Sequence, residues 1–228
     1  MILNAAAFRY WYQDLQVFDI TNEAGKLPIQ KLLNGDAHVL GAEVELRLKP
    51  WLFLEDYTDD IGLWAVPLRL LLPDLVSANL GWLDSEFGSF VVTKTVLQPR
   101  GSPTEHDFDY RGNRLVAAPE WNFSAIAEYE FPLFGWGSLV PQYDVNWRSK
   151  AYLDPQMIDP ISQDAYWVHN ARIAYRTPDD RIELAFWVSN LFEEEYKVDV
   201  FDVTRDGNTI LEVWSEPRTY GVTLSLNW

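Results

Sequence analysis

Every second residue at the end of the chain is apolar: Tyr220, Val222, Leu224, Leu226 and Trp228 alternate with Gly221, Thr223, Ser225 and Asn227. Successive side chains of an extended strand point to opposite faces, so this pattern commits the segment to a strand with a different solvent on each side. The same period recurs upstream. Ala42, Val44, Leu46 and Leu48 oppose Glu43, Glu45, Arg47 and Lys49, and Tyr143, Val145 and Trp147 oppose Gln142, Asp144, Asn146 and Arg148. Phe123, Ala125, Ala127, Tyr129 and Phe131 oppose Asn122, Ser124, Glu128 and Glu130, with Ile126 breaking the polar set.

These runs predict eight strands, near 3–20, 36–50, 74–90, 115–131, 138–153, 164–177, 181–203 and 211–228. Many exceed the ~5–6 residues usual in soluble sheets and reach the ~9–11 that cross a bilayer on a tilt. A soluble sandwich also alternates, with its apolar face on a core. The charged polar sets and the aromatic ends of the apolar sets favour a watery lumen on one side and hydrocarbon on the other. Connection lengths agree. Thr177-Pro178-Asp179-Asp180 and 132–137 are short, whereas 91–114, 154–163 and the segment carrying Asp206-Gly207-Asn208 are longer, and the two kinds alternate. The connection 51–73 breaks this rule, being long and rich in Leu and Trp where a short turn is due. An interfacial amphipathic segment, an extra hairpin or a sequence anomaly each fits it.

Composition removes other classes. No run of about 18 apolar residues exists, so no transmembrane helix is expected; the most apolar stretch, Gly62 to Leu72, is interrupted by Pro67 and Arg69. A formal net charge of -16 leaves no basic stripe for nucleic acid. Cysteine is absent, which excludes thiolate nucleophiles, disulfides and cysteine metal sites. Met1 leads straight into strand-like sequence with no basic and apolar leader, which favours a start inside a longer gene.

Signals for chemistry are weak. His38, His106 and His169 have no metal-ligand spacing and read as lumen or loop histidines, so no metal site is expected. The acidic runs 105–109 and 55–60 offer oxygen ligands suited to calcium, although such runs are ordinarily just solvated. Neither Gly-x-Ser-x-Gly, His-Glu-x-x-His nor a phosphate loop occurs, so no catalytic residue and no cofactor is expected. Asn122-Phe123-Ser124 fits a glycosylation acceptor formally and is discounted in a lipid-facing strand. Trp121, Phe131, Phe134, Trp136 and Trp228 are expected at the short-turn interface, where amphipathic rings favour the headgroup level. Gln142, Asp144, Asn146, Arg148, Asn170 and Arg172 are the lumen-facing candidates for contact with a ligand or plug.

Four motifs resemble the carboxyl-terminal barrel of TonB-dependent outer-membrane receptors. Ser189-Asn190-Leu191-Phe192-Glu193-Glu194-Glu195-Tyr196 is similar to the family's Asn-Leu-Phe-(Asp/Glu)-x-x-Tyr box, with Asn190, Leu191, Phe192 and Tyr196 matching. Glu216 to Val222, with Pro217, Arg218 and Gly221, resembles the element that opens the last strand. Leu40-Gly41-Ala42-Glu43-Val44-Glu45-Leu46 resembles the Gly-x-Glu-x-Glu strand, and Gly112-Asn113-Arg114-Leu115 through Ala118-Pro119 a loop-to-strand junction. The resemblance implies an all-β, antiparallel transmembrane β-barrel segment of about eight strands, the C-terminal part of a larger barrel of the 22-stranded type. Residues 1–228 are then one segment, with plug domain and earlier strands absent.

The implied function is energy-coupled uptake of a scarce nutrient, an iron chelate, cobalamin or a saccharide, at the bacterial outer membrane. The loops 22–35, 91–114 and 154–163 would form the capture surface. Implied partners are outer-membrane lipid, the small-molecule nutrient, the TonB energy-coupling protein through the missing N-terminal part, and the barrel-assembly machinery through Tyr220, Val222, Leu224, Leu226 and Trp228. Two alternatives stay open: a complete small eight-stranded barrel with a structural or porin-like role, and an outer-membrane hydrolase or soluble jelly roll.

Overall fold

The computed structural model describes residues 1–21, 29–50, 72–96, 102, 104–133, 135–202 and 209–228. In chain order the strands are β1 (Ile2–Thr21), β2 (Ile29–Leu48), β3 (Leu75–Ser89), β4 (Val91–Val96), β5 (Thr104–Asp109), β6 (Trp121–Glu128), β7 (Phe131–Pro132), β8 (Ser138–Arg148), β9 (Ala151–Tyr152), β10 (Ser162–Gln163), β11 (Tyr166–Arg176), β12 (Ile182–Ser189), β13 (Lys197–Asp202), β14 (Ile210–Trp214) and β15 (Thr219–Leu226). One antiparallel sheet follows the order β1-β2-β3-β6-β8-β11-β12-β15, with β7 alongside β8. Each strand of that sheet pairs with the next member of the sheet along the chain, while β4–β5, β9–β10 and β13–β14 form pairs of their own, and the barrel is not closed: β1 and β15 are its two edges.

The two ends of the sheet differ as the connection lengths demand. At one end β11 turns into β12 through 177–181, where the Asp180 N–H donates to Thr177 O at 3.0 Å and Asp180 has φ 54°. The opposite end carries the hairpins β4–β5 and β13–β14 and the short β9–β10 pair. β1 and β2 also run on at that end. Their 20 residues each reach about 66 Å at ~3.3 Å per residue, more than twice the ~30 Å of a hydrocarbon core. A register shift between Tyr12 and Leu15 marks the extension. There Asp14 takes φ 54° and its N–H donates to Asp36 Oδ1 at 3.4 Å, so one strand carries extra residues and bends.

The distribution of apolar side chains is the reverse of a soluble domain. Tyr220, Val188, Ala171, Tyr143, Ala127, Val76 and Leu48 stand opposite one another in succession across the sheet. That row starts at the long-loop end of β15 and finishes at the short-turn end of β2, the stagger of strands tilted for closure. On the same face Val222 is 59%, Leu224 60% and Leu226 54% exposed. The fully buried Val140, Ala174 and Ala185 instead neighbour one another on the polar face. A face of large exposed aliphatic and aromatic groups is stable only against hydrocarbon or another protein.

Several expectations need correction. The strand expected over 181–203 breaks into β12 and β13 at Asn190, and that over 211–228 breaks into β14 and β15 at 215–218, where Pro217 offers no N–H. The strand expected from 115 begins only at Trp121, because Ala117 takes φ 55° and its N–H turns aside to Tyr152 O at 2.8 Å. The loop 91–114 contains β4–β5, and 154–163 contains a 3₁₀ turn at Asp159–Ile161. Trp121 lies at the long-loop end of β6, not at the short-turn interface, and packs beside Trp82 with ring centroids 6.5 Å apart. His169 is on the apolar face rather than in the lumen or a loop, since it shares the face of Ala171 and Ile173. Of the other expectations, the connection 51–73 over 51–71, the acidic run 55–60, Phe134, Asp206-Gly207-Asn208 and loop positions 22–28 lie outside the described residues.

Candidate ligand-facing surface

The polar face of β8 and β11 brings six of the expected residues together. Gln142, Asp144, Asn146 and Arg148 lie on β8, and Asn170 and Arg172 on β11, with Asn170 opposite Asp144 and Arg172 opposite Gln142. Asn170 Nδ2 donates to Asp144 Oδ2 at 2.6 Å. Arg172 and Arg176 converge on the Glu183 carboxylate, the Arg176 contact measuring 2.7 Å. Asn4 Nδ2 donates to Glu45 Oε2 at 3.0 Å and Asn79 Nδ2 to Ser124 Oγ at 3.3 Å on the same face. These pairs give their polar groups side-chain partners one strand away, the arrangement suited to a surface that faces a confined aqueous space.

The two terminal motifs interlock at the long-loop end. Asn190 sits at φ 52°, a left-handed conformation that Asn tolerates better than most residues. Its Oδ1 accepts from the Glu194 N–H at 2.8 Å, and its Nδ2 donates to Glu194 O at 2.9 Å and to Glu216 O at 3.3 Å. Leu191 N–H donates to His169 O at 2.7 Å, which lays Phe192 edge-on over the His169 ring, 5.0 Å between centroids. Beneath it Tyr143 Oη and His169 Nδ1 are 2.6 Å apart, so two polar groups on the apolar face satisfy each other. Arg218 reaches back to Leu191 O at 3.4 Å and to the Glu193 carboxylate at 3.2 Å, and Tyr196 stacks on Tyr166 at 4.1 Å. Gly221 stands opposite Trp187 in register, and a Cβ there would lie 2.4 Å from the indole Cζ2. Only a glycine lets that ring lie flat across the strand.

Toward the long-loop end, the polar face gives way to an apolar floor. Val17, Phe87, Phe90, Val92 and Tyr110 form a buried cluster, and Leu153, Ile161 and Val200 form a second. Between the extensions opens a cavity of about 400 Å³ lined by Leu15–Phe18, Phe87, Leu115–Val116, Leu153–Pro155 and Asp199–Asp202. The sequence carries no signal for it, because five segments remote in the chain meet there and 199–202 read as an ordinary strand. Several basic groups at the same end of the sheet are engaged by carboxylates. Lys150 Nζ is 2.6 Å from Asp159 Oδ1 and 3.8 Å from Asp164 Oδ1, Lys197 Nζ is 2.6 Å from Glu212 Oε1, and Arg114 is 2.7 Å from Glu120. The hydrogen bond from Arg114 lowers the Glu120 pKa, and that to Asp159 raises the Lys150 pKa. Among the described residues no cluster of His, Asp and Glu has the geometry of a metal site.

A tilted antiparallel sheet, greasy outside and hydrogen-bonded inside, with long extensions at one end, defines the wall of an outer-membrane barrel. The family described as TonB dependent receptor-like, beta-barrel, matches residues 1–191, and the chain belongs to it. No curated protein sequence matches. Among solved structures the chain is similar to the siderophore receptor PiuA from Acinetobacter baumannii, at 19% identity and a TM-score of 0.58, covering 97% of this chain and 25% of that one. It is also similar to the ferric citrate transporter FecA, at 17% identity and a TM-score of 0.57, covering 98% and 29%. The ferric yersiniabactin uptake receptor FyuA from Yersinia pestis is 12% identical with a TM-score of 0.53, covering 99% and 35%. The chain therefore spans between a quarter and about a third of these relatives' lengths. Proteins of this family are transport receptors of the bacterial outer membrane rather than enzymes.

Proposed function

We propose that this chain is the C-terminal portion of the barrel wall of a receptor that takes up a ferric chelate across the outer membrane. The observation that carries the reading is the pairing of an exposed apolar face with a long-loop end built out into hairpins around a cavity. A simple porin-like wall has no need of the latter. The three solved relatives are, by their descriptions, receptors or transporters for siderophores or ferric chelates, which favours iron chelates over cobalamin or saccharides.

The open sheet supports a larger barrel over a complete eight-stranded one. Open strand edges are not tolerated in lipid, so β1 and β15 each need a further partner. In this reading residues 1–228 are one barrel segment, a plug and the segment that engages the TonB energy-coupling protein belong to another part of the protein, and the terminal strand from Tyr220 to Trp228 addresses the barrel-assembly machinery. Gln142, Asp144, Asn146, Arg148, Asn170 and Arg172 face the plug or the passing ligand.

Two measurements test it. Deleting the gene is expected to abolish uptake of at least one radiolabelled ferric chelate by iron-starved cells; unchanged uptake across a chelate panel would overturn the reading. The reading frame ahead of Met1 is expected to continue and to encode more strands, and a stop codon followed by a secretory leader there would leave the small-barrel alternative standing.

A further inference from the structure

Three aromatic side chains stand in line on the polar face of β1. Phe8, Tyr10 and Tyr12 keep the period of Asn4 and precede the register shift between Tyr12 and Leu15, so they share the water-facing side of the wall with the Asn4–Glu45 pair. Successive ring centroids are 5.3 Å and 6.0 Å apart. The line covers about 13 Å of wall at ~3.3 Å per residue. Gly41 stands opposite Phe8, where a Cβ would come 2.3 Å from Phe8 Cζ, so that ring lies over the backbone of β2. The rows across β1, β2 and β3 are Phe8, Gly41 and Leu83, then Tyr10, Val39 and Ser85, then Tyr12, Ala37 and Phe87. None of these side chains is charged, whereas the next rows toward the short-turn end bring in Glu43 and Glu45.

The line joins two hollows. Tyr12 shares its row with Phe87, which lines the cavity of about 400 Å³ together with Leu15 of the same strand. At the other end Asn4, with Glu45, Asn79 and Ser124, lines a recess of about 530 Å³. Between them Tyr10 and Tyr12 remain 49% and 42% exposed. An uncharged aromatic strip in a watery space gains from burying a passing flat ring, and ring stacking adds to the gain from area alone. Stacking also tolerates lateral displacement better than a fixed hydrogen bond does, so it can hold a ligand without arresting it.

We infer that Phe8, Tyr10 and Tyr12 form a stacking track on the inner wall, along which a chelate bearing flat aromatic rings moves from the cavity toward the recess. The inference rests on the receptor reading above and adds to it a passage site and the class of chelate that the site takes.

The test uses the whole protein in iron-starved cells and four radiolabelled ferric complexes. A hydroxyphenyl-oxazoline chelate and a benzoylated linear trihydroxamate carry rings; the acetylated form of the same trihydroxamate and citrate do not. Surface binding is read in energy-depleted cells and uptake in energised ones, both normalised to the amount of receptor in the outer membrane. Tyr10→Leu with Tyr12→Leu keeps apolar bulk and removes the rings, and Tyr10→Phe with Tyr12→Phe keeps them. The leucine pair is expected to slow uptake of the ring-bearing complexes about tenfold, with their surface binding and the uptake of ring-free complexes unchanged. Tyr10→Leu alone is expected to give the same pattern at smaller amplitude, and the phenylalanine pair to match the natural protein. Equal slowing of all the complexes would place the rings against another part of the protein and overturn the inference. So would a parallel loss of surface binding, undiminished uptake of ring-bearing complexes by the leucine pair, or uptake by the natural protein confined to ring-free complexes; each of these leaves the receptor reading intact. Failure of the natural protein to take up any of the four overturns the receptor reading itself.

Discussion

Asn170 Oδ1 accepts the backbone N–H of Asn190 at 2.9 Å, while its Nδ2 holds the Asp144 carboxylate at 2.6 Å. One side chain therefore ties the inner face of the wall to the turn that joins β12 to β13. The same oxygen also accepts from Ser189 Oγ at 3.2 Å, so the turn begins on a lumen residue rather than on its own backbone alone. Through Asn190 the link runs on to Glu194 and Glu216, and so to the approach of β15.

Replacing Asn170 with Ala leaves the Asn190 N–H without its acceptor and takes a donor from Asp144, a cost of about 1–3 kcal/mol for a half-buried group. At Asn190 the left-handed φ of 52° adds a second term, because Ala there pays about 1–2 kcal/mol of backbone strain that Gly does not. Asn190→Gly is thus expected to be milder than Asn190→Ala. Urea unfolding in lipid vesicles measures both. Equal losses for the two substitutions would show that the side-chain bonds matter and the backbone conformation does not.

The Trp187–Gly221 pair makes a second prediction. A Cβ on residue 221 lies 2.4 Å from the indole, closer than real contacts allow, so Gly221→Ala displaces the ring and breaks the bond from Trp187 Nε1 to Thr223 Oγ1 at 3.2 Å. Overpacking of this kind costs about 1–3 kcal/mol. Removing the ring in the Gly221→Ala background is expected to relieve the clash, so the Gly221→Ala, Trp187→Leu double variant should lose less than the sum of the single changes. A double-mutant cycle on unfolding free energies reads this directly.

Strands and their two faces were legible because a period of two survives any detail of turn geometry: Val222, Leu224 and Leu226 needed only their spacing. The breaks at Asn190 and at 215–218 were not, because alternation resumes on either side and the interruption depends on a left-handed Asn and a distant Asn170. Position along the strand was equally hidden for Trp121. An aromatic residue marks an interface without saying which, and only the late start of β6 puts Trp121 beside Trp82. His169 misled because its polar ring predicts water, whereas Tyr143 and Phe192 supply its partners on the apolar face. The cavity at the long-loop end joins residues as remote as Leu15 and Asp202, and no local pattern encodes such a meeting.

The short turn 177–181 carries a pH dependence. Thr177 Oγ1 donates to Asp179 Oδ1 at 2.7 Å, and the Arg181 N–H adds a longer bond of 3.3 Å, which together lower the Asp179 pKa, the threonine bond contributing most. A folded pKa below the unfolded value of about 3.9 stabilises the turn above that value, and the contribution is lost as pH falls through the lowered folded pKa. Thr177→Val removes the main cause. The gap in stability between natural protein and variant is expected to be constant at neutral pH and to narrow below about pH 4, down to the pH-independent part that comes from losing the Ile182 N–H bond to Thr177 Oγ1 at 3.1 Å. Limited proteolysis at the turn across an acid series follows it, and a gap that instead widened toward low pH would contradict the sign.

The orientation of β15 decides whether the sheet faces lipid at all. Leu224 is 60% exposed on the apolar face midway along the strand, and Thr223 beside it faces the other way, with Trp187 Nε1 donating to it. An arginine on the lipid side costs about 2–4 kcal/mol at the midplane and about 0–1 near an interface. Leu224→Arg is therefore expected to weaken folding into vesicles by that larger amount, and Tyr220→Arg, at the long-loop end, by the smaller. Thr223→Arg places its charge in water and loses only the bond from Trp187 Nε1, so it is expected to be milder than Leu224→Arg. If Thr223→Arg were the most damaging of the three, the apolar face would be packed against protein and the barrel wall would have to be turned inside out.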